Sequence, residues 1–233
     1  MSEALLRDLY QRQLEALPAD DYLRSHAESA FLSGSLRVFR FYEPYLPRDG
    51  EILDWGCHHA PDSCLIRASV GDGVTLHGCD VLEPGHYKIF HESVRLRYRR
   101  LDHITALPYE DASFDAVVAS GVLEHVAMDY ESLRELYRVL KPNGRLIVTY
   151  LPNRTSYAEW RLRRSGGAFH HRLYSRREMA SLLLHSGFLP LVCGYQTQLD
   201  ALPSDGALRL LRVTQLHRLT SCLCAVAEKR LSI

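Results

Sequence analysis

Several absences narrow the possibilities before any motif is considered. No run approaches the ~20 apolar residues that a membrane-spanning helix needs, so no span is expected. The six cysteines, Cys57, Cys64, Cys79, Cys193, Cys222 and Cys224, form no Cys-x-x-Cys pair, which leaves buried, reduced thiols as the expectation. A Gly-x-Gly-x-x-Gly cradle is missing too, and a dinucleotide pyrophosphate needs one, which argues against NAD or FAD. Nor is there an excess of charge, since 28 basic residues face 28 acidic ones. A neutral chain with one short basic stretch is a small electrostatic footprint for nucleic acid. Residues 1–17 break their apolar positions with Glu3, Arg7, Asp8 and Arg12, so no secretory leader is expected and the protein is read as cytoplasmic.

What is present fits one well-buried domain: 233 residues, 46% hydrophobic and 24% charged. Leu5, Leu6, Leu9 and Leu14 follow helical spacing, and Pro18 with Asp20 and Asp21 marks a break and a new helix start. Residues 1–47 are therefore expected to form an N-terminal helical cap. From residue 48 the pattern changes to short apolar runs separated by helical stretches, as in β-α-β units. Strands are expected at 51–56, 74–80, 95–102, 114–122 and 144–151. A helix at 130–140 puts Leu133, Leu136, Tyr137 and Leu140 on one face and stops at Lys141-Pro142-Asn143-Gly144. Beyond residue 152 come a basic loop, a helix at 175–186, and apolar runs at 188–195 and 219–227 that suit an antiparallel pair. The expected fold is α/β and Rossmann-like. It has a mostly parallel seven-stranded sheet, helices on both faces and the cap, with a cofactor-binding core at 48–152 and an acceptor-side segment at 153–233.

In such sheets ligands bind beyond the carboxyl ends of the strands. Those ends read Leu53-Asp54-Trp55-Gly56-Cys57, Gly78-Cys79-Asp80, Leu101-Asp102-His103 and Ser120-Gly121-Val122-Leu123-Glu124-His125-Val126. An acid at position 80 can accept two hydrogen bonds from a ribose diol. Together with Leu107-Pro108, Ser113-Phe114-Asp115 and Leu140-Lys141-Pro142-Asn143-Gly144, these motifs resemble the class I S-adenosylmethionine-dependent methyltransferases, in particular the methyltransferase type 11 group, across residues 51–188. The resemblance implies S-adenosyl-L-methionine as cofactor. Asp54 and Gly56 would hold the methionine moiety, Asp80 the ribose hydroxyls and Asp102 the adenine amino group, with His103 beside it. Ser120 and Gly121 would lie under the donor, and Cys57, His58 and Val81 complete the cofactor-binding set.

One motif departs from the family's Asp-x-Gly-x-Gly-x-Gly loop, because His58 and Ala60 occupy the second and third glycine places. Glycine serves there by tolerating positive φ and letting backbone approach the ligand; histidine can visit the left-handed region. S-adenosylmethionine carries no phosphate, so a loop with fewer glycines is compatible with it.

Methyl transfer from a sulfonium is an in-line displacement in which positioning provides much of the rate. A base is needed when the acceptor is a hydroxyl, and a histidine suits. The candidates are Glu124 with His125, and His170 with His171. Residues 153–177 hold Arg154, Arg161, Arg163, Arg164, Arg172, Arg176 and Arg177 against the single acid Glu159. This is either a solvated basic segment or a grip on an anionic acceptor. Asn153, Tyr157, Trp160 and Arg172 are the substrate-binding candidates. Cys57, His58 and His59 are adjacent, but no second spaced pair completes a metal site, so none is expected. The expected activity is O-methylation of a small polar acceptor such as a sugar or glycan hydroxyl. The alternatives are an inactive methyltransferase-like binding module, motivated by His58 and Ala60, and an N-methyltransferase of a small metabolite. No sequence feature speaks to oligomeric state.

Overall fold

The computed structural model describes residues 2–103, 105–164, 166, 170, 172–197 and 221–230. The cap consists of α1 (Ser2–Ala16), α2 (Asp21–His26) and α3 (Ser29–Tyr42). Asp20 starts α2 by accepting the Leu23 amide at 2.9 Å, the role its place after Pro18 suggests. β1 (Gly50–Trp55), α4 (Pro61–Val70), β2 (Val74–Asp80), α5 (Lys88–Ser93), β3 (Arg97–Arg100) and β4 (Phe114–Ser120) follow. The chain continues through α6 (Asp129–Val139), β5 (Leu140–Leu151), α7 (Tyr157–Arg164), α8 (Arg176–His185), β6 (Phe188–Thr197) and β7 (Ser221–Lys229).

The strands make one seven-stranded sheet in the order β3-β2-β1-β4-β5-β7-β6. β1, β2, β3, β4 and β5 pair in parallel, while β7 runs antiparallel to both β5 and β6. Alternate strand residues feed two cores, as period-2 geometry requires. Ile52, Ala116, Val118 and Ile147 face a cluster shared with the cap, α4 and α5. Leu53, Trp55, Val117, Ala119 and Val148 face a second cluster with Leu133 and Leu136 of α6 and Met179 and Leu183 of α8. This is the Rossmann-like α/β architecture, covered by helices on both faces.

The strand limits shift for local reasons. β3 is shorter than 95–102 because Arg95 sits at φ 54, outside the extended region. β5 begins at Leu140 rather than 144, and a register shift between Phe114 and Ala116 absorbs the Lys141-Pro142-Asn143 turn. α7 occupies part of what was expected to be a basic loop. All six cysteines are free thiols, buried except for the half-buried Cys193. Among the described residues no helix is long and apolar enough to cross a membrane.

Candidate active site

Between β1 and β4 the strand order reverses, and connections there diverge to opposite faces, opening a crevice at the carboxyl ends. A cavity of about 770 Å³ occupies this place. It is lined from the core by Gly56, Cys57, His58, Asp80, Val81, Ser120, Gly121, Glu124 and His125, from the cap by Tyr22 and His26, and from the acceptor-side segment by Asn153, Glu159 and His170.

The first loop explains why β1 ends where it does. Gly56 has φ 67, and a Cβ there would lie 2.5 Å from Val122 Cγ2, so the loop and the turn after β4 touch through a bare backbone. His58 and Ala60 adopt φ 49 and 61, so the positions that lack glycine keep a glycine-like path at a cost in backbone strain. Packing around the rings offsets that cost. The His58 ring lies 4.5 Å from Tyr22 and 4.6 Å from Tyr87 by centroids. His59 is 1% exposed, with Nε2 2.6 Å from the Tyr10 hydroxyl. Burial lowers the His58 pKa to about 4, against the pull of Asp80 and Asp20; burial, with His58 and His26 nearby, holds His59 well below the usual histidine range.

Asp80 ends β2 as a double acceptor. Its Oδ2 takes the His58 amide at 2.8 Å, and its Oδ1 takes the amides of Val81 at 2.7 Å and Leu82 at 3.3 Å. Asp54 is buried beneath the loop, its Oδ2 accepting from Ser63 Oγ at 2.7 Å. Next to it the Tyr42 hydroxyl donates to Asp62 Oδ1. Burial and mutual repulsion raise the Asp54 pKa; burial also raises that of Asp62, while bonds from Tyr42 and Ser120 pull it down. Ser120 Oγ accepts from Thr149 Oγ1 at 2.9 Å. Asp102 and His103 follow β3 as exposed residues and are not among those lining the cavity; Leu101 is.

The other end of the cavity gathers residues far apart in sequence. Glu124 is 2% exposed, its Oε2 has no hydrogen-bond partner, and burial with the nearby Glu159 charge pushes its pKa up to about 8. His125 Nε2 lies 4.0 Å from Glu124 Oε1, and His170 Nδ1 lies 2.7 Å from Glu159 Oε1. Asn153 is buried, with Oδ1 accepting from the Thr155 amide and hydroxyl at 3.1 Å each. Tyr157 and Trp160 are exposed, stack on each other at 5.6 Å, and do not line the cavity. Arg172 pairs with Asp129 and Arg154 with Glu178, while Arg163 donates to the His170 carbonyl at 2.8 Å. His171 lies outside the described residues.

The walls suit a cationic ligand. Asp62, Asp80, Glu124 and Glu159 line the cavity, with burial favouring the neutral form of Asp62 and Glu124, and no lysine or arginine lines it among the described residues. S-adenosylmethionine carries a sulfonium and an ammonium against one carboxylate, so its net positive charge fits these walls. Sequence reasoning missed Tyr42, Asp62 and Ser63 under the loop, Tyr22 and His26 from the cap, and Glu159. Only Glu159 carried a signal, as the lone acid in a basic stretch.

A family model described as a methyltransferase domain matches residues 53–148. A Mycobacterium tuberculosis protein described as a "probable S-adenosylmethionine-dependent methyltransferase" is 37% identical over 149 residues, covering 62% of this chain and 51% of that protein. A demethylmenaquinone methyltransferase of Streptomyces avermitilis is 43% identical over 65 residues, 25% of this chain and 28% of that protein. The chain thus spans about half the length, or less, of these curated relatives. Among solved structures, the Burkholderia thailandensis 1,6-didemethyltoxoflavin-N1-methyltransferase with bound S-adenosylhomocysteine superposes with a TM-score of 0.62 at 18% identity. It covers 98% of this chain and 88% of its own, a likeness of fold. Residues 53–148 are therefore similar to a methyltransferase domain, and the chain around them is similar to part of S-adenosylmethionine-dependent methyltransferases.

Proposed function

We propose that the chain transfers a methyl group to an oxygen of a small polar acceptor, such as a sugar or metabolite hydroxyl. The observation that carries this reading is that one cavity joins the Gly56–Asp80 end to the Glu124, His125 and His170 cluster. Bound there, S-adenosylmethionine supplies an electrophilic methyl group on a cationic sulfur.

The chain's own residues divide the remaining work. Asp80 and the positive-φ loop at 56–60 hold the donor, with Ser120 and Gly121 beneath it. As the methyl group passes from sulfur to the acceptor oxygen, leaving S-adenosylhomocysteine, the hydroxyl proton passes to the imidazole of His125 or His170, with Glu124 beside them. The glycine-like backbone of His58 and Ala60 supports an active enzyme over an inert binding module, because the loop keeps the path that donor binding needs. Arg154, Arg163 and Arg172 are engaged by Glu178, the His170 carbonyl and Asp129, which favours a neutral acceptor over an anionic one.

Calorimetry with S-adenosylhomocysteine tests the donor half, and a donor-turnover assay against pooled sugars, glycans and hydroxylated metabolites tests the acceptor half. Heat on binding and turnover with a hydroxyl acceptor are expected. Absence of both heat and thermal stabilisation at millimolar ligand would overturn the reading.

A further inference from the structure

Three side chains of the acceptor end converge on one point. A ligand atom from each of Glu124, His125 and His170 lies within 4.8 Å of the other two, and the two imidazole centroids are 5.4 Å apart. They come from the turn after β4 and from the segment between α7 and α8, so the fold brings them together. This is a different place from the adjacent Cys57, His58 and His59.

Two further observations point to a ligand at this point. Glu124 is 2% exposed with Oε2 lacking a hydrogen-bond partner, a costly state for a buried carboxyl group unless something completes it. In addition, His170 Nδ1 sits 2.7 Å from Glu159 Oε1, the carboxylate–histidine arrangement that fixes the tautomer and ring orientation of a metal ligand. No described lysine or arginine lines the cavity to provide the opposite charge.

We propose that Glu124, His125 and His170 bind one divalent transition-metal cation at the acceptor end of the cavity, with Glu159 orienting His170. A carboxylate and two imidazoles suit Mn²⁺, Fe²⁺ or Zn²⁺ better than the all-oxygen preference of Ca²⁺ or Mg²⁺. Such a facial set of ligands leaves coordination positions open for water and for an acceptor oxygen. The histidines then serve as ligands in place of the general-base role that sequence alone suggests for them. The acceptor class becomes one that presents a hydroxyl to a metal; that last step rests on the methyl-transfer reading, while the cation site does not.

The test uses the full chain, treated with chelator and titrated with Mn²⁺ while free ion is followed by electron paramagnetic resonance. One Mn²⁺ per chain is expected, with binding lost in Glu124→Gln and in His125→Asn. The His125 side chain is 42% exposed, so the second variant keeps the fold even where the buried change does not. Absence of saturable binding, or unchanged affinity in both variants, overturns the site. S-adenosylhomocysteine calorimetry on the same samples separates the two readings: donor binding without Mn²⁺ binding overturns the cation site alone, and loss of both overturns the donor reading as well.

Discussion

The backbone N–H of His58 donates to Oδ2 of Asp80 at 2.8 Å, so the carboxylate that ends the second strand also holds the first loop in place. Its other oxygen is committed to the amides of Val81 and Leu82, which fixes its orientation. Replacing Asp80 by alanine removes both the loop's tether and the proposed ribose acceptor. S-adenosylhomocysteine affinity should weaken about tenfold or more, the scale of one hydrogen bond to a charged group. A calorimetric Kd equal to wild type would remove Asp80 from the donor site.

Gly56→Ala tests the contact between the loop and the turn after β4. The added Cβ meets Val122 Cγ2 at 2.5 Å, in a backbone held at φ 67. The expected loss is about 2–4 kcal/mol in urea unfolding, from steric overlap and left-handed strain together. Adding Val122→Ala should recover the steric share and leave the strain. No recovery in the double variant would mean that Val122 is not the obstacle.

The depressed pKa of His58 gives a pH signature. An unfolded histidine titrates near 6.5 and this one at about 4, so between those values the unfolded chain binds more protons. The stability contributed by the neutral ring is present above pH ~6.5 and is lost as pH falls towards about 4. His58→Gly removes the titrating group at a backbone position glycine accepts. The melting-temperature advantage of wild type over the variant should therefore shrink across that window in thermal shift measurements. A difference that stays constant with pH would contradict the buried, neutral ring.

Tyr42→Phe probes the carboxylates under the loop. Without the Tyr42 hydroxyl, buried Asp62 keeps only its bond with Ser120. The unpaired oxygen should cost about 1–3 kcal/mol, read by urea denaturation. A change within error would mean that Asp62 finds another donor.

Much of the crevice wall is legible in the sequence. Strands buried on both faces are written as apolar runs, and the polar residues that interrupt them, such as Asp80 and the Gly56 turn, mark where each run meets the crevice. What was not legible depends on contacts distant in sequence. Asp62 follows Pro61 in a first helical turn, where an acid reads as a helix start; its inward role depends on Tyr42, which comes from the cap. The pairing of Glu124 and His125 with His170 likewise has no local signature. Tyr157 and Trp160, substrate-binding candidates by sequence, stack on each other, with the Arg164 guanidinium 5.0 Å from the Trp160 ring centroid.

The rings that stand in the first loop have a mechanical consequence. A bare glycine backbone can keep its shape with nothing packed against it, whereas a half-buried and a buried imidazole need walls. Here Tyr10 and Tyr22 of α1 and α2 supply walls for His59 and His58. Those helices lie outside residues 53–148, the segment that the methyltransferase-domain model matches, so the loop at 56–60 takes part of its stiffness from residues beyond that segment. A fragment beginning at residue 48 would keep the whole matched segment and the Tyr87 contact, and still lose the Tyr10 and Tyr22 walls of that loop.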